Sequence, residues 1–250
     1  MNPLVVGNWK MNGTLSQASN LAAAIVQGTS QKTPKAAVVL APPATALGTV
    51  QERIATSGIS LAGQNCHWED NGAFTGEISP AMLADLGCTY VIVGHSERRH
   101  VFNESDEITA RKLAAAIRNN LRPILCVGET LDQRNAGRTM EVILRQIQFA
   151  LKEPNENVIA NLDIAYEPVW AIGTGHNADP SQIAEVHGAI RSHLTNSFGK
   201  ASVRILYGGS VNAENATDLG RISEVNGLLV GGASLKPESF LRVVRCFDDE

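Results

Sequence analysis

Eight short stretches, each apolar on consecutive positions, recur along the chain and alternate with segments of helical periodicity: Leu4–Val6, Ala37–Leu40, Ile59–Ala62, Tyr90–Val93, Pro123–Val127, Ile164–Tyr166, Val203–Tyr207 and Gly227–Val230. Consecutive apolar positions are what strands buried on both faces require, which points to a parallel sheet covered by helices. Met140, Ile143, Leu144, Ile147 and Leu151 form one helical stripe, and Ile183, Val186, Ile190 and Leu194 form another. Asp179 is placed to cap the second helix, with Pro180 at its first position and Gln182 completing a capping box.

Alternating strands and helices have two main solutions, a closed (β/α)8 barrel or an open doubly wound sheet. No GxGxxG or GxxxxGKS/T loop follows any strand. Polar and glycine residues gather instead after many strands: Asn8/Lys10, Gln64/Asn65, His95/Ser96, Glu167, Gly208–Ser210 and Gly231/Gly232. Barrel active sites draw on several C-terminal strand ends in this way, and about 250 residues is the usual length of such a barrel. The sequence therefore predicts an α/β fold, a single parallel eight-stranded barrel with outer helices, over residues 1–250. No linker or low-complexity tract marks a second domain.

The formal charge of −4 gives no reason to expect nucleic acid. No apolar run reaches the roughly 18–20 residues of a membrane helix. The start, MNPLVVGNWKMNG, carries no signal-peptide pattern, so a cytoplasmic location is expected. Cys66, Cys88, Cys126 and Cys246 lie far apart and read as reduced thiols.

Each candidate for chemistry also has a structural reading. Lys10 is either a solvated lysine at a strand end or a cation at the catalytic face, and Asn8 either satisfies backbone groups or joins it. His95 precedes Ser96-Glu97, a plausible helix start whose N–H groups would favour a neutral ring. Glu97, Arg98 and Arg99 also suit an ion-pair cluster, the reading preferred for the arginines. Glu167, between Tyr166 and Pro168, is placed as a general base or as a solvated acid. The segment Pro168, Val169, Trp170, Ala171, Ile172, Gly173, Thr174, Gly175 holds apolar residues that an ordinary surface connection has little use for, and it suits either a lid that excludes water or a packed loop. Glycine pairs Gly208-Gly209-Ser210 and Gly231-Gly232-Ala233-Ser234 follow strands seven and eight, where barrels frequently bind phosphate. His95 and His100 lack clustered partners, so no metal is expected, and no GxSxG elbow surrounds Ser210.

Six segments, in order, resemble the triosephosphate isomerase family: NWKMNG (Asn8–Gly13), GAFTGE (Gly72–Glu77), GHSERR (Gly94–Arg99), AYEPVWAIGTG (Ala165–Gly175), YGGSV (Tyr207–Val211) and LVGGASL (Leu229–Leu235). The resemblance spans essentially the whole chain. It implies the TIM-barrel fold and a cofactor-independent isomerase of glycolysis and gluconeogenesis, passing dihydroxyacetone phosphate and D-glyceraldehyde 3-phosphate through an enediolate. It further implies Glu167 as base, His95 as neutral electrophile, Lys10 with Asn8 as charge stabilisers, and Glu97 as a supporting acid. Gly173, Ser210, Gly231 and Gly232 are implied to grip phosphate. A homodimer is implied through Cys66–Glu77, with Thr75 at the loop tip reaching the partner. His176, Asp179 and His67-Trp68 depart from the common pattern and are expected to tune lid or dimer behaviour. A different phosphate-binding barrel enzyme would carry other acids and lysines at its strand ends. A binding or scaffold protein on this fold would lack Lys10, His95 or Glu167, and all three are present.

Overall fold

The computed structural model describes residues 1–152, 156–172, 178–199 and 203–248. Eight strands run in chain order: β1 (Leu4–Asn8), β2 (Ala37–Ala41), β3 (Ser60–Gly63), β4 (Tyr90–Val93), β5 (Arg122–Val127), β6 (Asp163–Tyr166), β7 (Arg204–Tyr207) and β8 (Gly227–Val230). Each coincides with one of the expected stretches, β4 and β8 with the same bounds and the others with one or both ends moved by one or two residues. They close into a barrel in which every neighbour is parallel, with β8 pairing back onto β1 from Leu4 opposite Gly227. That last contact requires glycine: a Cβ at position 227 would lie 2.0 Å from the Leu4 carbonyl oxygen.

Side-chain alternation divides the barrel into two apolar layers. Leu4, Val6, Val39, Ala62, Ile92, Ile124, Ala165 and Leu206 fill the interior. Val5, Val38, Leu61, Val91, Leu125, Ile164 and Ile205 face outward against the helices. Neighbours along a strand therefore serve different layers, which is why the strands read as unbroken apolar runs. Each fully buried leucine or isoleucine contributes about 1.5–3 kcal/mol.

Helix Pro180–Phe198 forms as expected, burying Ile183, Val186, Ile190 and Leu194 and capped by Asp179 in a complete capping box with Gln182. Helix Thr139–Ala150 buries Ile143 and Ile147 of the expected stripe, with Leu151 buried just past its end and Met140 packed on the core, and its buried face widens to take in Val142, Gln146 and Ala150. Gln146 is the polar member of that face. Its side chain accepts the Gly128 N–H at 2.8 Å and donates to the Gly128 carbonyl at 3.2 Å, so a polar residue occupies the inner face.

The N-terminal end of the barrel is closed by polar residues that open their strands. Asp163 is fully buried, and Arg122 and Arg204 each grip it with two hydrogen bonds of 2.6–2.9 Å. The Tyr90 hydroxyl oxygen accepts from Arg204 at 3.3 Å.

Candidate active site

At the opposite end, the strand termini surround one cavity of about 660 Å3, lined among others by Asn8, Lys10, His95, Glu167, Ser210, Gly231 and Gly232. These residues come from the ends of β1, β4, β6, β7 and β8, so the fold gathers side chains far apart in sequence.

Glu167 follows the last residue of β6 and is 2% exposed. One carboxylate oxygen lies 3.0 Å from His95 Nε2, and the other accepts the Ser96 N–H at 2.8 Å. Burial pushes its pKa up, but His95, the Ser96 N–H and Lys10 overcome that and hold it below the ordinary carboxylate value.

His95 caps the short helix Ser96–His100, and its Nδ1 accepts the Glu97 N–H at 3.2 Å. With Nδ1 accepting, the bonding pattern places the ring proton on Nε2, toward Glu167. Burial penalises the imidazolium, yet the Glu167 carboxylate outweighs it and raises the pKa in this arrangement. The neutral Nε2–H ring satisfies both hydrogen bonds.

Lys10 adopts a left-handed backbone, φ 52°, which costs a non-glycine residue on the order of 1–3 kcal/mol. Three contacts hold it there. Its N–H donates to Asn8 Oδ1 at 3.1 Å, its carbonyl accepts from Gln64 Nε2 at 2.8 Å, and Gln64 also donates to the Ala41 carbonyl at 2.8 Å. The ammonium reaches Glu97 at 2.6 Å. Glu97 thus stands behind Lys10 and off the cavity wall. Arg98 and Arg99 pair with Glu104 and Asp106, each at 2.6 Å, and are structural.

Of the segment expected to act as a lid, Pro168–Ile172 is described and contains a short turn, Val169–Ala171. Its anchor is Glu129, a fully buried acid that sequence reasoning missed. Glu129 accepts from Trp170 Nε1 at 2.9 Å, the Tyr166 hydroxyl at 3.2 Å and Arg134 at 3.2 Å. The Arg134 guanidinium also covers the Trp170 ring at 4.7 Å. Gly173, Thr174 and Gly175 of the expected lid, and His176 after them, lie outside the described residues. Gly128, also missed, backs onto Glu167: a Cβ there would lie 1.8 Å from the Glu167 carbonyl oxygen.

Gly231 and Gly232 begin the turn Gly232–Leu235, tied down by Ser234, which donates through its N–H and its hydroxyl to the Gly231 carbonyl at 2.8 and 2.7 Å. Ser210 lies across the cavity, its carbonyl accepting from Asn215 at 3.0 Å. Thr75 is exposed, away from these groups in the same chain. No group of three or more His, Cys, Asp or Glu side chains suited to a metal ion occurs among the described residues.

A family model described as triosephosphate isomerase matches residues 3–247. A triosephosphate isomerase of Chloroflexus aurantiacus is 47% identical over 245 residues, covering 97% of this chain and 98% of the relative. One from Aquifex aeolicus is 47% identical over 249 residues, covering 99% and 100%. The crystal structure of triosephosphate isomerase from Bartonella henselae matches with a TM-score of 0.90 at 41% identity, over 100% of both chains.

Proposed function

The chain belongs to the triosephosphate isomerase family, and from that premise we propose that Glu167, His95, Lys10 and Asn8 carry out the chemistry at the mouth of its barrel. The activity is that of the family, an isomerase interconverting dihydroxyacetone phosphate and D-glyceraldehyde 3-phosphate in glycolysis and gluconeogenesis.

The observation that carries the assignment is the 3.0 Å approach of Glu167 to His95 Nε2 in a cavity that Lys10 also lines. Glu167 turns from His95 and Ser96 to take the proton from the carbon beside the substrate carbonyl. The raised His95 pKa depends on the carboxylate being at hand. Once it leaves, burial, the Lys10 charge and the Glu97 N–H at Nδ1 favour the neutral ring against the pull of the Glu97 carboxylate. Nε2–H then donates to the developing enediolate oxygen, and Lys10 and Asn8 stabilise its negative charge. The Lys10 carbonyl clamp by Gln64 supports this role, because it fixes the lysine's direction before substrate arrives. Ser210, Gly231 and Gly232, together with Gly173, hold the phosphate. An enediol phosphate can lose phosphate by elimination, so the lid Pro168–Gly175 keeps the intermediate dry.

A coupled assay on D-glyceraldehyde 3-phosphate with metals chelated tests the base. Glu167→Asp, which withdraws the carboxylate by one methylene, lowers kcat by about 10²-fold or more with a small change in KM. Near-normal turnover in that variant sinks the assignment.

The active form is a homodimer joined through the loop Cys66–Glu77. Exposed apolar side chains support this: Met11 (94% exposed) follows Lys10 closely, Val101 (65%) and Phe102 (60%) follow the His95 helix, and Phe74 (42%) neighbours Thr75. A second copy would cover them, with its Thr75 beside the catalytic face. A fully active monomer in sedimentation at micromolar concentration refutes it. Among the described residues no helix is long and apolar enough to cross a membrane; together with a glycolytic activity, this supports a cytoplasmic location.

A further inference from the structure

The residues His67 and Trp68, expected from the sequence to tune lid or dimer behaviour, hold the loop Cys66–Glu77 to its own subunit. At the neck, the His67 N–H donates to the Ile78 carbonyl at 2.8 Å. Inside, the His67 ring lies between Trp68 at 4.1 Å and Phe74 at 4.2 Å, and its Nδ1 accepts the Glu69 N–H at 3.0 Å. Outside, helix Asp106–Arg118 grips the same stretch. The Arg111 guanidinium stacks over Trp68 at 4.2 Å, and Asp70 accepts from Arg118 at 2.9 Å and from Asn119 at 2.8 Å. Arg118 also donates to the Trp68 carbonyl at 3.2 Å.

We propose that this brace, Trp68 under Arg111 and Asp70 under Arg118 and Asn119, holds the dimer loop in its docking shape within each separate subunit. Two copies of this chain then meet as preformed surfaces. The inference rests on the dimer reading and deepens it. A loop that is ordered only part of the time weakens association by the fraction of time it is competent, and a brace removes that loss. The contacts are solvent-exposed and individually weak. Acting on one short loop from two sides, they bias a single equilibrium.

The test is the dimer dissociation constant, from sedimentation and from specific activity on dilution, for the wild type, Arg111→Ala, Asp70→Ala and the double variant. The double variant weakens the dimer by about tenfold or more, while kcat at high protein concentration stays at the wild-type value. Arg111→Lys, which keeps the charge but loses the flat stacking face, falls between wild type and Arg111→Ala. Amide exchange across 66–77 quickens in the diluted double variant and stays slow in the diluted wild type. A wild-type dimer whose dissociation constant is unmoved by both substitutions overturns the brace and leaves the dimer standing. A wild type that is an active monomer overturns the dimer, and the brace with it.

Discussion

Asp163 and Glu167 stand at the two ends of β6, one its first residue and the other just past its last, and both are buried. Their partners differ in kind. Asp163 is gripped by two guanidinium groups, each bidentate, so its charge is matched and its geometry fixed. Glu167 has one imidazole and one backbone N–H, bonds that can be exchanged for a substrate. The same strand carries one carboxylate with its charge fully matched and another whose partners a ligand could replace. The backbone follows this division: at the catalytic end Lys10 is held in a left-handed conformation, and one oxygen of Glu129 has no hydrogen-bond partner in the protein.

Exchanging the two acids for their amides tests the contrast most severely. Glu167→Gln loses about 10³-fold or more in kcat and leaves the denaturation midpoint near wild type. Asp163→Asn does the reverse: it costs about 3 kcal/mol of stability, because two guanidinium groups are left facing each other without a charge between them, and kcat of the folded protein is unchanged. Urea unfolding beside the coupled assay measures both. Loss of turnover in Asp163→Asn under conditions where it remains folded would break the comparison.

Acid sharpens it through a third buried group. His187 lies on helix Pro180–Phe198 against Tyr166 and Tyr207, fully buried, with Nε2 unpartnered. Burial pushes its pKa from 6.5 down to about 4. The folded state therefore refuses a proton that the unfolded chain accepts below 6.5, so stability is complete above that pH and falls as the pH drops toward 4. The loss reaches about 2 kcal/mol by pH 5. His187→Gln should flatten the stability profile between pH 6.5 and 5; a slope equal to that of the wild type would remove His187 as its cause.

Much of this architecture could be read from the sequence, for a physical reason. Parallel strands buried on both faces leave contiguous apolar runs, and no other pattern competes with them. The same weighting toward apolar residues hid Arg122, Asp163 and Arg204, which open their strands as polar residues and pair only across the closed barrel. Helix Thr139–Ala150 was legible as a helix and in most of its buried stripe, but not in the full width of that face, since nothing local announces that Gln146 faces inward to bond Gly128. In the site, Lys10, His95, Glu167 and the glycine pairs stood out because each follows a strand. Gln64, Gly128 and Glu129 act on carbonyls and rings from other strands, and those relations exist only after folding. His67 and Trp68 were visible as departures, yet unreadable until helix Asp106–Arg118 supplied its arginines.

The close approach of Gly128 to Glu167 has a bearing on how this enzyme can change over time. Any side chain at 128 would push directly on the carbonyl of Glu167, so the position is closed to every residue that carries a Cβ. In a saturation library, position 128 would look as intolerant as Glu167, although it brings no functional group of its own. Laboratory evolution toward a new substrate could rewrite much of the cavity rim and still find this one position closed, because Glu167 takes its place from an absence just past the end of the neighbouring strand.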